Sequence, residues 1–107
     1  MPEGARAVLD REMSERAFQD AILDLAALYG WRAYHTHDSR RSQAGFPDLV
    51  LVRGQRVVFA ELKREGKKPT AEQQRWLDAL AATGAVEAYL WRPSDWPEIE
   101  LVLGGSE

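Results

Sequence analysis

Cysteine is absent from the 107 residues, so the chain has neither a disulfide framework nor a zinc site built on thiolates. No apolar run approaches the roughly 20 residues that a membrane-spanning helix needs. The first residues are charged and helix-like rather than typical of a signal peptide. We therefore expect one cytoplasmic domain over residues 1–107, with 1–12 flexible and with no membrane partner.

The net charge of −3 is unusual for a protein that binds nucleic acid, but the charge is unevenly distributed. Residues 32–68 hold nine Lys and Arg against four acids, a balance of +5, while the rest holds five against thirteen, or −8. A phosphate backbone would approach such a basic segment. A solvated loop can show the same bias, so this signal is weak by itself.

The most informative pattern is a predicted β-hairpin. Two strand-like runs, 49–52 and 57–60, are separated only by Arg53-Gly54-Gln55-Arg56. Glycine as the first residue of a two-residue loop favours a type II′ turn. With Gly54 and Gln55 as the loop, paired residue numbers add up to 109 and Asp48 faces Glu61. A three-residue loop would shift the register by one and send these carboxylates to opposite faces.

Asp48, Glu61 and Lys63 share one face of this hairpin, because side chains alternate between the faces of a strand. Directly opposed carboxylates, with Cβ atoms about 5 Å apart, repel each other unless a cation joins them. Their hard oxygen ligands suit Mg²⁺ or Mn²⁺. Both hairpin faces are otherwise apolar, which is typical of central strands covered by helices. The alternative is that Glu61 and Lys63 are surface charges on an edge strand.

The residues before the hairpin predict a helix and a strand. Ser14 is the expected N-cap of a helix over 15–29 that Gly30 terminates. Its apolar stripe has the helical period and consists of Phe18, Ile22, Leu25, Ala26 and Tyr29. A strand over 31–36 follows, and then a polar loop over 37–45.

The residues after the hairpin complete the fold class. Thr70 to Gln73 matches a capping box, which opens a second helix ending near Gly84. A fourth strand is expected over 85–91, and Ser94 is expected to cap a short helix through Leu103. The order αβββαβ(α) predicts an α/β domain with a small mixed sheet flanked by helices.

With these elements, the chain resembles the restriction-endonuclease-like PD-(D/E)xK nucleases, and most closely the minimal stand-alone form of the VRR-NUC family. The resemblance spans nearly the whole domain. It rests on the stretches 34–42 and 45–49, on Glu61-Leu62-Lys63, and on Gln73, Trp76-Leu77 and Gly84. The short Pro-Asp…Glu-x-Lys motif recurs by chance, whereas its combination with this element order and with the block 34–49 is more specific.

The resemblance implies roles for individual residues. Asp48 and Glu61 would hold the metal, with the backbone carbonyl of Leu62 as a further ligand. Lys63 would orient the attacking water or counter charge on the phosphate. Because a protonated lysine is a poor base, we favour electrostatic stabilisation over proton abstraction. Glu15 would act through the metal's water or through a second ion, and Gln73 would contact the site.

Several of these assignments have an ordinary structural alternative. Glu15 is spaced to lie on the buried stripe, and the equal alternative is that it only complements the helix dipole. For Gln73 the alternative is a role in the capping box, and Gln74 is a competing candidate. His35 with His37 has no further zinc-type ligand nearby, and His35 is either a phosphate donor or an ordinary strand-end histidine. The tryptophans Trp31, Trp91 and Trp96 are expected in the core or at its rim.

The expected DNA-binding residues are His35, Ser39, Arg40, Arg41, Lys67 and Lys68. The arginines are interpreted as phosphate clamps, with a solvated loop as the alternative. The predicted function is an Mg²⁺- or Mn²⁺-dependent DNA endonuclease. The resemblance suggests branched or four-way-junction (Holliday-junction) DNA, a homodimer, and a bacterial or phage-infected cell. The competing functions are a binding module without turnover and an RNA endonuclease with the same site.

Overall fold

The computed structural model describes residues 4–36 and 43–105, which form helices on both faces of a four-stranded sheet. The elements are α1 (Ala5–Glu12), α2 (Glu15–Leu28), β1 (Arg32–His35), β2 (Leu49–Arg53), β3 (Arg56–Leu62), α3 (Ala71–Ala82), β4 (Glu87–Trp91), a 3₁₀ turn (Pro93–Asp95) and α4 (Trp96–Gly104). Within the described ranges, no helix is long and apolar enough to cross a membrane.

The N-terminal region holds one helix more than the predicted order. Ala5–Glu12 forms α1, inside the segment 1–12 that was expected to be flexible. The helix α2 follows as predicted, since the Ser14 hydroxyl accepts a hydrogen bond from Ala17 N at 3.0 Å. Gly30 ends it with a φ of 82°, a left-handed conformation that glycine adopts without steric cost.

The sheet is mixed, as predicted, with strand order β1-β2-β3-β4. The first three strands are antiparallel neighbours, whereas β4 lies parallel to β3. Parallel neighbours need a crossover connection, which here contains α3. The hairpin strands β2 and β3 are therefore the two central strands.

The hairpin register agrees with the sequence prediction. Arg53 pairs with Arg56 and Leu49 pairs with Ala60, so paired numbers add up to 109. Gly54 has a φ of 60°, and Gln55 keeps a negative φ. A type II′ turn has a positive φ only at the first loop position, whereas a type I′ turn has one at both positions.

One face of the sheet carries the main core. Leu49, Leu51, Val58 and Ala60 are fully buried on it. The helices α2 and α4 cover this face with Phe18, Ile22, Ala26, Ile99 and Leu103. Trp31 and Trp91 are also buried and Trp96 packs against the cluster, which confirms the expected place of the tryptophans.

Helices flank the sheet on both faces, as predicted, and the helix that covers the face opposite the main core is α3. The helix α3 packs on β3 and β4. Val52, on β2, keeps 39% of its surface exposed. Among the described residues, the helical cover of this face therefore lies mainly over β3 and β4.

The C-terminal helix also starts differently from the prediction. Its N-cap position is Asp95 rather than Ser94. The Asp95 carboxylate accepts a hydrogen bond from Arg92 N at 2.8 Å, which forms a 3₁₀ turn at Pro93–Asp95 and delays α4 to Trp96. Ser94 instead donates its N–H to Glu65 Oε1 at 2.7 Å.

Candidate active site

The register places Asp48 and Glu61 at the same end of the hairpin. Asp48 directly precedes β2, and its Oδ2 accepts a hydrogen bond from the backbone N–H of Leu62 at 2.9 Å. Its carbonyl oxygen accepts from Thr36 N at 3.1 Å. Asp48 is thus fixed by both neighbouring strands, one step beyond the Leu49–Ala60 pair, where the next partner is Glu61.

Glu61 is a buried carboxylate with incomplete compensation. Only 2% of its surface is exposed. Its Oε2 lies 3.6 Å from Lys63 Nζ, and Lys63 is itself mostly buried. Its Oε1 has no hydrogen-bond partner among the described residues. An unpaired buried carboxylate oxygen is costly, so this atom is suited to a ligand.

The electrostatic state of Glu61 reflects this environment. The pKa of Glu61 is raised from 4.5 to about 8, with burial as the largest cause and the negative charge of Asp48 as the next. Lys63 opposes the effect, while Asp48's side-chain contact and Glu15 add to it. A positive charge between the two carboxylates would relieve both the desolvation and the repulsion.

The donor set fits a hard divalent cation. Two carboxylates with an orphan oxygen are the ligands that Mg²⁺ or Mn²⁺ takes, together with several waters. Within the described ranges, no group of three or more His, Cys, Asp or Glu side chains converges to hold a metal.

A cavity of about 390 Å³ opens beside Asp48, between α2 and the end of β1. It contains four residues expected from the sequence: Glu15, His35, Asp48 and Leu62. Five further lining residues were not anticipated: Arg16, Gln19, Asp20, Leu23 and Thr36. The sequence did contain a signal for two of these residues on α2, since Gln19 and Leu23 follow Glu15 at the helical spacing of four residues.

Glu15 was expected on the buried stripe of α2, and this is wrong. Its side chain is exposed and lines the cavity, because the first turn of α2 carries it to the cavity rather than into the core. The same position lets it complement the helix dipole. The two interpretations are therefore compatible, and a role towards a metal stays a prediction.

Gln73 serves the capping box. Its Oε1 accepts from Thr70 N at 2.8 Å, and Thr70 Oγ1 accepts from Gln73 N at 3.1 Å. The competing Gln74 donates instead to Asp78 at 2.9 Å, on the exposed side of the helix. Gln73 thus remains the better candidate of the two, although its contact with the site stays a prediction.

The proposed DNA contacts are only partly described. Ser39, Arg40 and Arg41 lie outside the described residues. Lys67 and Lys68 are exposed in the connection between β3 and α3. That connection is held by Arg92, whose guanidinium donates to the carbonyl of Lys67.

Two of the nine basic residues in 32–68 have a structural role away from the site. Arg53 and Arg56 lie at the turn end of the hairpin, opposite Asp48, with their guanidinium carbons 4.6 and 5.0 Å from the Trp31 ring centre. Arg53 donates to the carbonyls of Leu103 and Gly105. Arg53 thus compensates the C-terminal carbonyls of α4. Arg56 forms an ion pair with Glu87 at 2.7 Å and donates to the Val102 carbonyl at 3.0 Å. The basic balance of this segment therefore overstates the charge near the carboxylates.

The fold agrees with comparison to known proteins. The family model of the VRR-NUC domain matches residues 6–90. The chain therefore belongs to the VRR-NUC domain family, a family of nucleases. No curated protein matches the chain significantly.

Two solved structures share the fold. One, described as "VRR_NUC domain", is 24% identical with a TM-score of 0.64, and the match covers 82% of this chain and 92% of that one. Another, "VRR_NUC domain protein", is 18% identical with a TM-score of 0.62, covering 89% and 97%. At such identities the likeness concerns the fold, and the site must be judged from this chain's own residues.

Proposed function

We propose that this protein is a divalent-metal-dependent endonuclease that hydrolyses phosphodiester bonds in branched DNA, four-way junctions included. It would do so as a homodimer, in the cytoplasm of a bacterial or phage-infected cell. Membership of a nuclease family supports the reaction class. The single observation that carries the proposal is the pairing of Asp48 with a buried Glu61 whose Oε1 has no partner in the described structure.

Asp48 and Glu61 would hold the ion, with the Leu62 carbonyl as a further ligand and Glu15 in reach of its waters. When bound, Mg²⁺ or Mn²⁺ supplies Lewis-acid polarisation of a phosphoryl oxygen and a lowered pKa for coordinated water. The Leu62 N–H orients the Asp48 carboxylate by donating to its Oδ2. Such outer hydrogen bonds fix the geometry of a ligand.

Lys63 would stabilise negative charge on the phosphate. Its backbone N–H donates to the Trp91 carbonyl at 3.0 Å, which fixes the main chain between β3 and β4. Its Nζ lies 3.6 Å from Glu61 Oε2, so the side chain is already positioned at the site. A cation placed in advance stabilises developing charge without reorganisation.

Recognition would depend on backbone and shape rather than on base sequence. Contacts from lysine and arginine to phosphates position a protein on DNA but carry no sequence information. Lys67 and Lys68 are exposed for this role, and His35 lines the cavity. A two-fold dimer would present two sites to the two strands that a symmetric cut requires.

The test is nicking of a labelled four-way junction with Mn²⁺ and then with excess EDTA. We expect cleavage by the wild type in Mn²⁺ only, and none by Asp48→Asn. Asp24→Asn, an exposed acid elsewhere on α2, is the matched control and should cleave like the wild type. Sedimentation of the protein with the junction should show two copies per junction.

Other substrates separate the competing functions. Flap, splayed, single-stranded and linear duplex DNA should be cut more slowly than the junction, and an RNA version should be cut more slowly still. If the RNA version were cut faster than the DNA junction, the substrate would be RNA rather than DNA. Tight junction binding with no cleavage in Mn²⁺ would identify a binding module instead.

A further inference from the structure

The two carboxylates are each preceded, two residues earlier, by a phenylalanine. Phe46 precedes Asp48, and Phe59 precedes Glu61 on β3. The two rings meet edge to face with centroids 6.0 Å apart. This contact therefore joins the chain segment that carries one carboxylate to the strand that carries the other.

A third ring comes from α3. Trp76 packs edge to face on Phe46, with centroids 5.1 Å apart, and its Nε1–H donates to the Ala44 carbonyl at 3.2 Å. Edge-to-face contacts stabilise a pair of rings beyond the effect of their buried area. We call Phe46, Phe59 and Trp76 the aromatic cluster.

The backbone beside the aromatic cluster is equally restricted. Gly45 has a φ of 83°, and a Cβ there would come within 2.7 Å of the Glu72 carbonyl carbon and 2.9 Å of Gln73 N. The chain thus touches the first turn of α3 directly. That turn is fixed by the Thr70–Gln73 capping box, so residues 44–46 rest on a rigid surface.

We propose that Trp76 is a positioning residue, which holds residues 44–46 against α3 and thereby keeps Asp48 at the spacing from Glu61 that a divalent ion needs. This inference rests on the proposed function. Pro47, between Phe46 and Asp48, is fully buried and its ring restricts φ. A shift of Phe46 would therefore also move Asp48. Trp76 would act on metal affinity through that segment, without being a ligand.

The test is calorimetric titration of Mn²⁺ into metal-free wild type and Trp76→Phe, with the melting temperature of each in EDTA. Phenylalanine keeps a ring against Phe46 but removes the hydrogen bond to Ala44. Losing one such bond corresponds to about twofold to tenfold in an equilibrium constant. We expect Mn²⁺ affinity to fall by that factor. Phe46→Leu breaks the same contact from the loop side and should weaken Mn²⁺ binding similarly.

Trp96→Phe is the matched control, since Trp96 is half-buried beside α1 and α2. It lines a cavity to which neither Asp48 nor Glu61 contributes. It should leave Mn²⁺ affinity within about twofold of the wild type even if it lowers the melting temperature equally. Unchanged affinity in folded Trp76→Phe or Phe46→Leu, or an equal loss in Trp96→Phe, would overturn the positioning role alone. Absence of Mn²⁺ uptake by the wild type would overturn it together with the proposed function.

Discussion

Raising the pH of the metal-free protein from about 5 to about 9 should destabilise the wild type relative to Glu61→Gln. The pKa of Glu61 lies near 4.5 when the chain is unfolded and is raised to about 8 in the fold, mainly by burial. Between these values the folded state keeps a proton that the unfolded state has released. The free energy of unfolding therefore falls as pH rises through this window, and it levels off above about 8.

The magnitude follows from the displacement of the pKa. One pKa unit corresponds to about 1.4 kcal/mol, so a change from 4.5 to about 8 gives an upper bound on the order of 5 kcal/mol. Since Glu61 is 2% exposed, solvent screening reduces this value little. Because this value is an upper bound, an effect of about a few kcal/mol is the expected size.

The assay is urea unfolding in EDTA at a series of pH values. Glu61→Gln keeps the side-chain shape without the charge, so subtracting it removes the titration of the other acids. We expect similar stabilities near pH 5, and a growing advantage for the Gln variant towards pH 9. Added Mn²⁺ should restore the wild type at pH 8 more than it stabilises the variant. A difference between the two proteins that stays constant with pH would refute the reasoning.

Three other substitutions test separate parts of the structure. Lys63→Ala should lower junction cleavage at least about a hundredfold while fluorescence anisotropy shows retained DNA binding; near-normal turnover would remove Lys63 from the mechanism. Thr70→Ala should cost about 1 kcal/mol of unfolding free energy through loss of the N-cap, whereas Thr70→Ser should cost little. Gly45→Ala should lower the melting temperature more than Gly30→Ala, because both glycines have a φ near 80° but only a Cβ at Gly45 would meet Glu72. Equal losses of melting temperature would contradict the close contact.

The sequence was sufficient to predict the pairing of the two carboxylates. A four-residue break between two strand-like runs permits few turns, and a two-residue loop starting with Gly54 fixes the register of the whole hairpin. The N-cap at Ser14 and the capping box at Thr70 were predictable for the same reason, since each depends on residues within three positions.

Features that depend on distant packing could not be read from local patterns. The role of Arg53 depends on where α4 ends, because Arg53 donates to the Leu103 carbonyl. Trp31 donates to the same carbonyl across a separation of 72 residues. The contact of Trp76 with Ala44 spans 32 residues. Glu15 had the spacing of a buried residue, but periodicity does not show that the first turn of α2 faces a cavity.

The most direct test of a shared ion is a double-substitution cycle in Mn²⁺ binding, measured by calorimetry on wild type, Asp48→Asn, Glu61→Gln and the double variant. If both carboxylates hold one ion, either single substitution should weaken binding severely, and the second should cost little more. Two results would contradict one ion shared by Asp48 and Glu61: losses of Mn²⁺ binding free energy that simply add, or Mn²⁺ uptake that survives in both single variants.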